Sequence, residues 1–156
     1  MAIRNIFKEG EAVLRRRCNP VVRFDDRLHT LLGDMADTMR EADGVGLAAP
    51  QVGILRRAVV IDVGNGIIEL LNPVITERSE ETQTDQEGCL SSPGEYGIVT
   101  RPMRVVCEYQ DRFGAPQRVE AEGLFARAVC HECDHLDGKL FKDIAERMLD
   151  DEELED

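Results

Sequence analysis

Residues 131–138 read HECDHLDG, and this stretch contains two of the three histidines in the chain. On a helix each residue turns by about 100°, so His131 and His135 lie about 40° apart and their imidazoles leave the same face. Glu132 projects beside them, close enough to act on a metal-bound water molecule without being a ligand. Because histidine is scarce in this sequence, an incidental pair on a surface helix is a poor explanation. The pattern predicts a metal site on a helix that spans about residues 124–136.

The positions around the histidines indicate what each face of this helix contacts. Cys130 and Cys133 form a C-x-x-C pair, but both project behind the ligand face. We therefore expect them to pack the helix against a sheet and not to bind the metal. Leu124 and Ala128 lie on the ligand face before the first histidine, which predicts an apolar wall beside the metal. Arg127 shares this wall, and we expect its guanidinium to reach water at the rim of a pocket.

The bulk properties restrict the class of protein. The chain has 156 residues, which favours one domain, and its formal net charge of −12 argues against DNA as a partner. The start MAIRNIFKEGEAV has no apolar signal region, and apolar runs are only a few residues long, so neither export nor a membrane span is expected. Five cysteines without a regular spacing are typical of reduced thiols. These features predict a cytoplasmic protein.

The periodicity of apolar residues predicts a helix, then strands, then a second helix. Asp25 or Asp26 is expected to cap a helix that stops near Gly44, and its apolar positions follow the helical period: Leu28, Leu31, Leu32, Met35 and Met39. GVGLAAPQVG at 44–53 is too rich in Gly, Ala and Pro for long regular structure. DRFGAPQ predicts the turn of a hairpin, and short β-type runs precede it at residues 58–62, 67–71 and 104–109. The predicted fold class is α+β with a largely antiparallel sheet.

A catalytic metal commonly has three protein ligands and one open position, so a third ligand is needed. The H-E-x-x-H-x-x-G-x-x-H pattern of some proteases requires a histidine where this chain has Phe141, and only a short acidic tail remains for a downstream glutamate. An upstream ligand is therefore favoured, and Cys89 in EGCLSSPGEYG lies in a turn-rich loop that could present a thiolate. Gln51 in GVGLAAPQVG could donate to an oxyanion. Neither loop alone distinguishes a hydrolase site from a structural loop.

Taken together, three stretches resemble the signature motifs of one family. GVGLAAPQ at 44–51, EGCLS at 87–91 and HECDHLDG at 131–138 occur in the order and at the intervals of the three motifs of the peptide deformylases. LRRRCNPV near the start and ARAVCHECDHLDGKLF near the end are also similar to that family. The resemblance implies one catalytic domain over residues 1–145, followed by an acidic tail over residues 146–156. It also implies an α+β fold in which mainly antiparallel β-sheets pack around a central metal-binding HExxH helix.

The resemblance implies a role for each motif residue. The family's metal ligands correspond to the cysteine of EGCLS and the two histidines of HExxH, which are Cys89, His131 and His135. The proton shuttle corresponds to Glu132, and the oxyanion donors correspond to the Gln51 side chain and the backbone N–H of Leu90. The implied reaction removes the N-formyl group from the initiator methionine of nascent polypeptides and releases formate. Substrate contacts are expected at Val45, Gly46, Gly88, Leu124 and Ala128.

The resemblance also implies a cofactor and partners. Ferrous iron is the expected divalent metal, although a Cys-His-His set is equally compatible with zinc, and nickel or cobalt could occupy it in the purified protein. N-formylmethionyl nascent peptides are the expected partners. Some members reach the ribosome through a basic C-terminal helix, and the acidic tail of this chain argues against that route for a transient ribosome contact. Two rivals stay open, a zincin-type endopeptidase and a non-catalytic metal-binding module, although Glu132 and Gln51 disfavour the second.

Overall fold

Two β-sheets and two long helices form most of the structure, a computed structural model that describes residues 2–155. The helices are α1 (Asp26–Glu41), α2 (Leu124–Leu136) and the short α3 (Asp151–Glu155). The strands are β1 (Gly46–Ala48), β2 (Ala58–Ile61), β3 (Ile68–Arg78), β4 (Thr82–Cys89), β5 (Ser92–Pro102), β6 (Arg104–Gln110), β7 (Pro116–Glu122) and β8 (Arg147–Met148). One sheet has the order β1-β2-β3-β6-β7 and the other β4-β5-β8, and these strands pair antiparallel throughout. The predicted α+β class is confirmed.

Helix α1 begins where the sequence predicts. The Asp25 carboxylate accepts a hydrogen bond from the backbone N–H of Leu28 at 3.1 Å, which satisfies a donor in the first turn. The apolar residues that set the helical period are all buried: Leu28, Leu31, Leu32, Met35 and Met39. The helix ends at Glu41, shortly before Gly44. Its apolar face packs on β1 and β2.

Strand β2 shows how the five-stranded sheet carries a helix on each face. Val59 and Ile61 belong to the apolar cluster that contains residues of α2, whereas Ala58 and Val60 belong to the cluster that contains residues of α1. Alternate side chains of a strand point to opposite faces, so the two helices lie on opposite sides of β2. A strand that is buried on both faces reads as a continuous apolar run. Helix α2 also contacts β5, and it therefore touches both sheets.

The β4–β5 hairpin was not predicted from the sequence. Strand β4 reads TQTDQEGC, in which polar side chains occupy both faces, so it lacks the alternation that marks a half-buried strand. The expectation that Cys89 lies in a turn-rich loop is wrong, because Cys89 is the last residue of β4. The stretch at 44–53 also holds more regular structure than expected, namely β1 and a 3₁₀ turn over Ala49–Val52.

The acidic tail is partly structured. The backbone N–H groups of Glu146 and Leu149 donate to the carbonyls of Ile98 and Tyr96, both at 2.8 Å, and β8 pairs with β5 between them. Residues 146–149 of the tail are thus held against the three-stranded sheet. None of the helices in residues 2–155 has the length and apolar character of a membrane span.

Candidate metal centre and active site

Helix α2 and the end of β4 bring the three predicted metal ligands together. One donor atom each from Cys89, His131 and His135 lies within 4.8 Å of the other two. The Cys89 sulfur is 3.3 Å from His135 Nε2. Both histidines are buried and the cysteine is half-buried, and Cys89 and His131 line a cleft. One sulfur and two imidazole nitrogens in this arrangement match the donor set of a catalytic transition-metal site.

The two imidazoles have different surroundings. His131 Nδ1 donates to the Glu87 carboxylate at 2.6 Å, which leaves Nε2 free to face the other donors. His135 Nδ1 is buried and has no hydrogen-bond partner among residues 2–155. Burial holds the pKa of His135 well below its ordinary value, so this ring is neutral and suited to bind a metal.

Glu132 is the second buried carboxylate beside the donors. Its Oε2 is 4.0 Å from His131 Nε2, and its Oε1 is buried without a hydrogen-bond partner in the described structure. Burial raises the pKa of Glu132 to about 7, although the neighbouring His131 opposes this rise. A Cβ on Gly46 would stand 2.5 Å from Glu132 Oε2, so only glycine lets β1 approach this carboxylate so closely. An unpartnered carboxylate oxygen beside three donor atoms indicates a site for a polar group or an ion.

Gln51 is held with its amide nitrogen toward the donors. The backbone N–H of Ala48 donates to Gln51 Oε1 at 2.9 Å, which fixes the orientation of the amide. Gln51 Nε2 then lies 3.1 Å from Ser91 Oγ and 3.5 Å from the Cys89 sulfur. The side chain is 1% exposed, so the amide is preorganised and shielded from bulk water. Ser91 was not singled out in the sequence, although it lies inside the EGCLS stretch.

The sequence alone suggested no role for Glu87 or Arg101, and the prediction for Arg127 was wrong. Arg127 does not reach water at a rim: its side chain is 6% exposed and its Nη1 donates to Glu87 Oε2 at 2.7 Å. Arg101 Nη2 donates to Glu87 Oε1 at 2.6 Å. Burial by itself raises the pKa of Glu87, but the hydrogen bonds from His131 and Arg101 outweigh it and hold the pKa at about 2. A carboxylate that is ionised at neutral pH therefore stands behind His131.

A cleft of about 640 Å³ opens onto these groups. All five residues predicted to contact substrate line it, and they are Val45, Gly46, Gly88, Leu124 and Ala128. Leu124 is 53% exposed and Val45 is 43% exposed, so the mouth of the cleft presents apolar side chains to solvent. The ring of Tyr96 packs against Gly88, where an added Cβ would meet it at 2.6 Å. Tyr96 is a further lining residue that the sequence alone did not suggest.

The cleft lies beside two strands with an unpaired edge. Among the described strands, β4 pairs only with β5 and β1 pairs only with β2. Both strands contribute residues to the cleft wall. An unpaired edge offers backbone donors and acceptors to an extended peptide.

The cysteines of the C-x-x-C pair lie away from the donors. Cys130 is buried in the apolar cluster between α2 and the five-stranded sheet, and Cys133 packs against the same cluster. Burial raises the pKa of the Cys130 thiol to about 11. The prediction that both residues pack the helix against a sheet is confirmed.

Comparison with known proteins identifies the family. The family model described as polypeptide deformylase matches residues 3–150. The chain belongs to the peptide deformylase family. A peptide deformylase of Caldicellulosiruptor bescii is 57% identical over 155 residues, which cover 99% of this chain and 93% of that protein. Peptide deformylase 1 of Clostridium acetobutylicum is 54% identical over 143 residues, covering 92% of this chain and 95% of that protein.

Solved deformylase structures share the fold. The crystal structure of the Thermotoga maritima peptide deformylase superposes with a TM-score of 0.92 at 43% identity and covers 94% of this chain and 99% of that one. The Synechococcus elongatus peptide deformylase, solved in complex with actinonin, gives a TM-score of 0.88 at 45% identity and covers 96% of this chain and 81% of that one. The family resemblance predicted from the three motifs is confirmed. The chain is an enzyme of the deformylase family, which disagrees with both rival hypotheses.

Proposed function

We propose that the chain hydrolyses the N-formyl group of the initiator formyl-methionine of nascent polypeptides and releases formate. The observation that carries the site assignment is the convergence of Cys89, His131 and His135 within 4.8 Å, beside a buried, unpartnered Glu132 oxygen. These three residues would hold one divalent metal, and ferrous iron is the ion we propose, with zinc, nickel or cobalt as alternatives in purified protein. The bound metal would supply Lewis acidity toward water and toward the formyl carbonyl.

Glu132 is the proposed general base and acid. Its free Oε1 can accept the proton of the attacking water molecule and then deliver it to the departing amine nitrogen of methionine. Burial keeps bulk water from competing for this transfer. Gly46 leaves the space that the carboxylate needs.

Gln51 and Leu90 are the proposed oxyanion donors. Gln51 Nε2 already points toward the Cys89 sulfur at 3.5 Å, and the backbone N–H of Leu90 follows Cys89 directly in the chain. Donors that are fixed before the reaction stabilise the developing negative charge without reorganisation.

The cleft supports a peptide substrate with an apolar first side chain. Val45, Leu124 and Ala128 would surround the methionine side chain, and Gly88 would let the peptide backbone approach β4 closely. The unpaired edges of β1 and β4 would hydrogen bond to an extended chain from either side. The following residues of the nascent chain would pass Tyr96 at the mouth of the cleft.

We also infer the setting in which the enzyme works. Residues 1–145 would form the catalytic domain and residues 146–156 an acidic tail, of which the first part pairs with β5. The net charge of −12 argues against DNA and anionic membrane surfaces as partners, and five free cysteines support a cytoplasmic enzyme. A transient ribosome contact would not use the acidic tail.

The proposed function is tested by formate release from formyl-Met-Ala-Ser, with protein purified anaerobically with iron and analysed for bound metal. Cys89→Ala should lose both the metal and the activity, and Glu132→Ala should keep the metal and lose activity. Cys107→Ala is the matched control, since Cys107 is a buried cysteine outside the three donors. Undiminished activity in Cys89→Ala or Glu132→Ala contradicts the assigned roles, and cleavage of internal amide bonds without formate contradicts the reaction itself.

A further inference from the structure

Glu87 lies at the centre of a buried group of charges that the proposed reaction does not use directly. Its two oxygens accept four hydrogen bonds, from His131 Nδ1 and Arg101 Nη2 on Oε1 and from Arg101 Nε and Arg127 Nη1 on Oε2. A carboxylate has about four acceptor positions, so these hydrogen bonds occupy all of them. The Glu87 side chain is 5% exposed, which leaves water little part in its solvation.

The two arginines around Glu87 are not equivalent. Arg101 also donates to Asp134 through Nη1 at 2.7 Å, so its positive charge is shared between two carboxylates. The other hydrogen bonds of Arg127 go to the backbone carbonyls of Val99 at 3.0 Å and Gln83 at 3.3 Å. Among the hydrogen-bonded partners of Arg127 in the described structure, Glu87 is therefore the one charged group. It completes the charge balance of the buried carboxylate.

Helical spacing couples Arg127 to a metal donor. Arg127 and His131 are four residues apart on α2, so their side chains leave the same face and reach the same carboxylate on β4. One Glu87 oxygen meets the histidine and the other meets Arg127. Movement of one oxygen of a planar carboxylate moves the other.

We propose that Arg127 is a positioning residue which, through Glu87, fixes the His131 ring for metal binding. With Oε2 held by Arg127, Oε1 stays 2.6 Å from His131 Nδ1, so this nitrogen keeps its proton and Nε2 faces Cys89. Without Arg127, Oε2 keeps only the longer hydrogen bond from Arg101 Nε at 3.2 Å and the buried negative charge is less balanced, so Glu87 turns and the ring follows. His135 has no such support, because its Nδ1 has no partner among the described residues. The loss of Arg127 therefore affects metal binding through His131 alone.

The test compares metal affinity in matched variants. Arg127→Met removes the charge but keeps the length and the apolar stem, and Arg127→Lys keeps the charge without the planar fork. Arg112→Met is the control, because Arg112 forms a partly exposed two-point pair with Glu69 at 2.6 and 2.9 Å outside this group. The zinc dissociation constant is measured by chelator competition, and the visible absorption of the cobalt-loaded protein reports the ligand geometry.

Arg127→Met should weaken zinc binding by on the order of 10–100-fold and shift the cobalt spectrum. Arg127→Lys should recover part of the loss, and Arg112→Met should bind zinc like the unmodified chain. Zinc affinity and a cobalt spectrum that are unchanged in Arg127→Met overturn the inference. If Arg127→Met does not fold, Arg127→Lys carries the same test, with a smaller expected loss.

A double-mutant cycle shows whether Arg127 acts through Glu87. In a Glu87→Gln background, the substitution at Arg127 should change zinc affinity by a much smaller factor than in the unmodified chain. Equal factors in both backgrounds overturn the inference. The inference rests on the proposed metal role of His131, and the two fail differently. If the unmodified chain does not bind zinc with Cys89 as a ligand, the proposed function is contradicted. If the unmodified chain and Arg127→Met both bind zinc tightly, only the role of Arg127 is contradicted.

Discussion

The two faces of α2 differ in the kind of partner that each one needs. One face packs Ala126, Val129 and Cys130 into the apolar cluster beneath the five-stranded sheet. The other face is also buried, yet its histidines contact Glu87 and Cys89 of β4, and Glu132 stands close to Gly46 of β1. Apolar packing needs volume and shape, whereas the polar face needs particular atoms at particular distances. Substitutions on the first face should therefore change stability, and those on the second should change chemistry.

Glu132→Gln is the sharpest way to separate the two faces. Gln has nearly the same shape but cannot take up a proton, so kcat should fall by about 10²–10⁴ while the fold and the bound metal are retained. Formate release, circular dichroism and metal analysis of the same preparation check this result. A variant that keeps more than a tenth of the original kcat excludes Glu132 as the proton shuttle.

Arg101→Met tests the cost of buried charge behind the polar face. It leaves Asp134 without its charged partner and Glu87 with Arg127 as its one arginine partner, so the free energy of unfolding should fall by about 3–5 kcal/mol. Urea denaturation of zinc-loaded protein measures the change. A loss below about 1 kcal/mol would mean that water or a neighbouring side chain replaces the arginine.

Val129→Ala tests the apolar face. Val129 is fully buried, and the loss of two methyl groups with the cavity they leave should lower the free energy of unfolding by about 2 kcal/mol. The kcat of the folded variant should stay unchanged, because Val129 packs in the apolar cluster and projects about 200° around the helix from His131. A substantial fall in kcat with intact stability would show that the two faces are not independent.

Arg104→Gln is expected to have the smallest effect and serves as the control for Arg101→Met. Arg104 and Glu81 form an ion pair at 3.1 Å, but their side chains are 53% and 58% exposed. Solvent screens such a pair, so the free energy of unfolding should change by less than about 1 kcal/mol. Urea denaturation at low and high salt checks both the size of the change and its expected loss at high salt.

The apolar parts of the fold could be predicted from the sequence, because burial leaves a periodic trace. The spacing of the apolar residues in α1 and α2 gave both helices within a few residues of their observed ends. The short apolar run of β2 was visible because both of its faces are covered. The β4–β5 hairpin left no such trace, since most side chains of β4 are polar and half of its residues are exposed.

The candidate site could be predicted only as far as its motifs extend. The three metal donors, Gln51 and Glu132 stand in motif stretches, whereas the partners of Glu87 come from β5 and α2 and meet only in the folded chain. One signal was available: Glu87 lies two residues before Cys89, and alternate residues of a strand share a face. With β4 assigned as a strand, Glu87 would have been placed beside the metal donors. Arg127 donates to Glu87 on β4, so the burial of Arg127 could not be predicted without this strand either.

The unpaired edges of β1 and β4 have a consequence for the range of substrates. Every residue except proline offers the same backbone N–H and C=O, so a chain gripped through its backbone is held with little regard to its side chains. In the proposed mode of binding, the first residue in the cleft would determine substrate specificity. The sequence of the rest of the polypeptide would have little effect on binding. Such an enzyme would act on polypeptides of many different sequences, provided that each carries the same chemical group at its N-terminus.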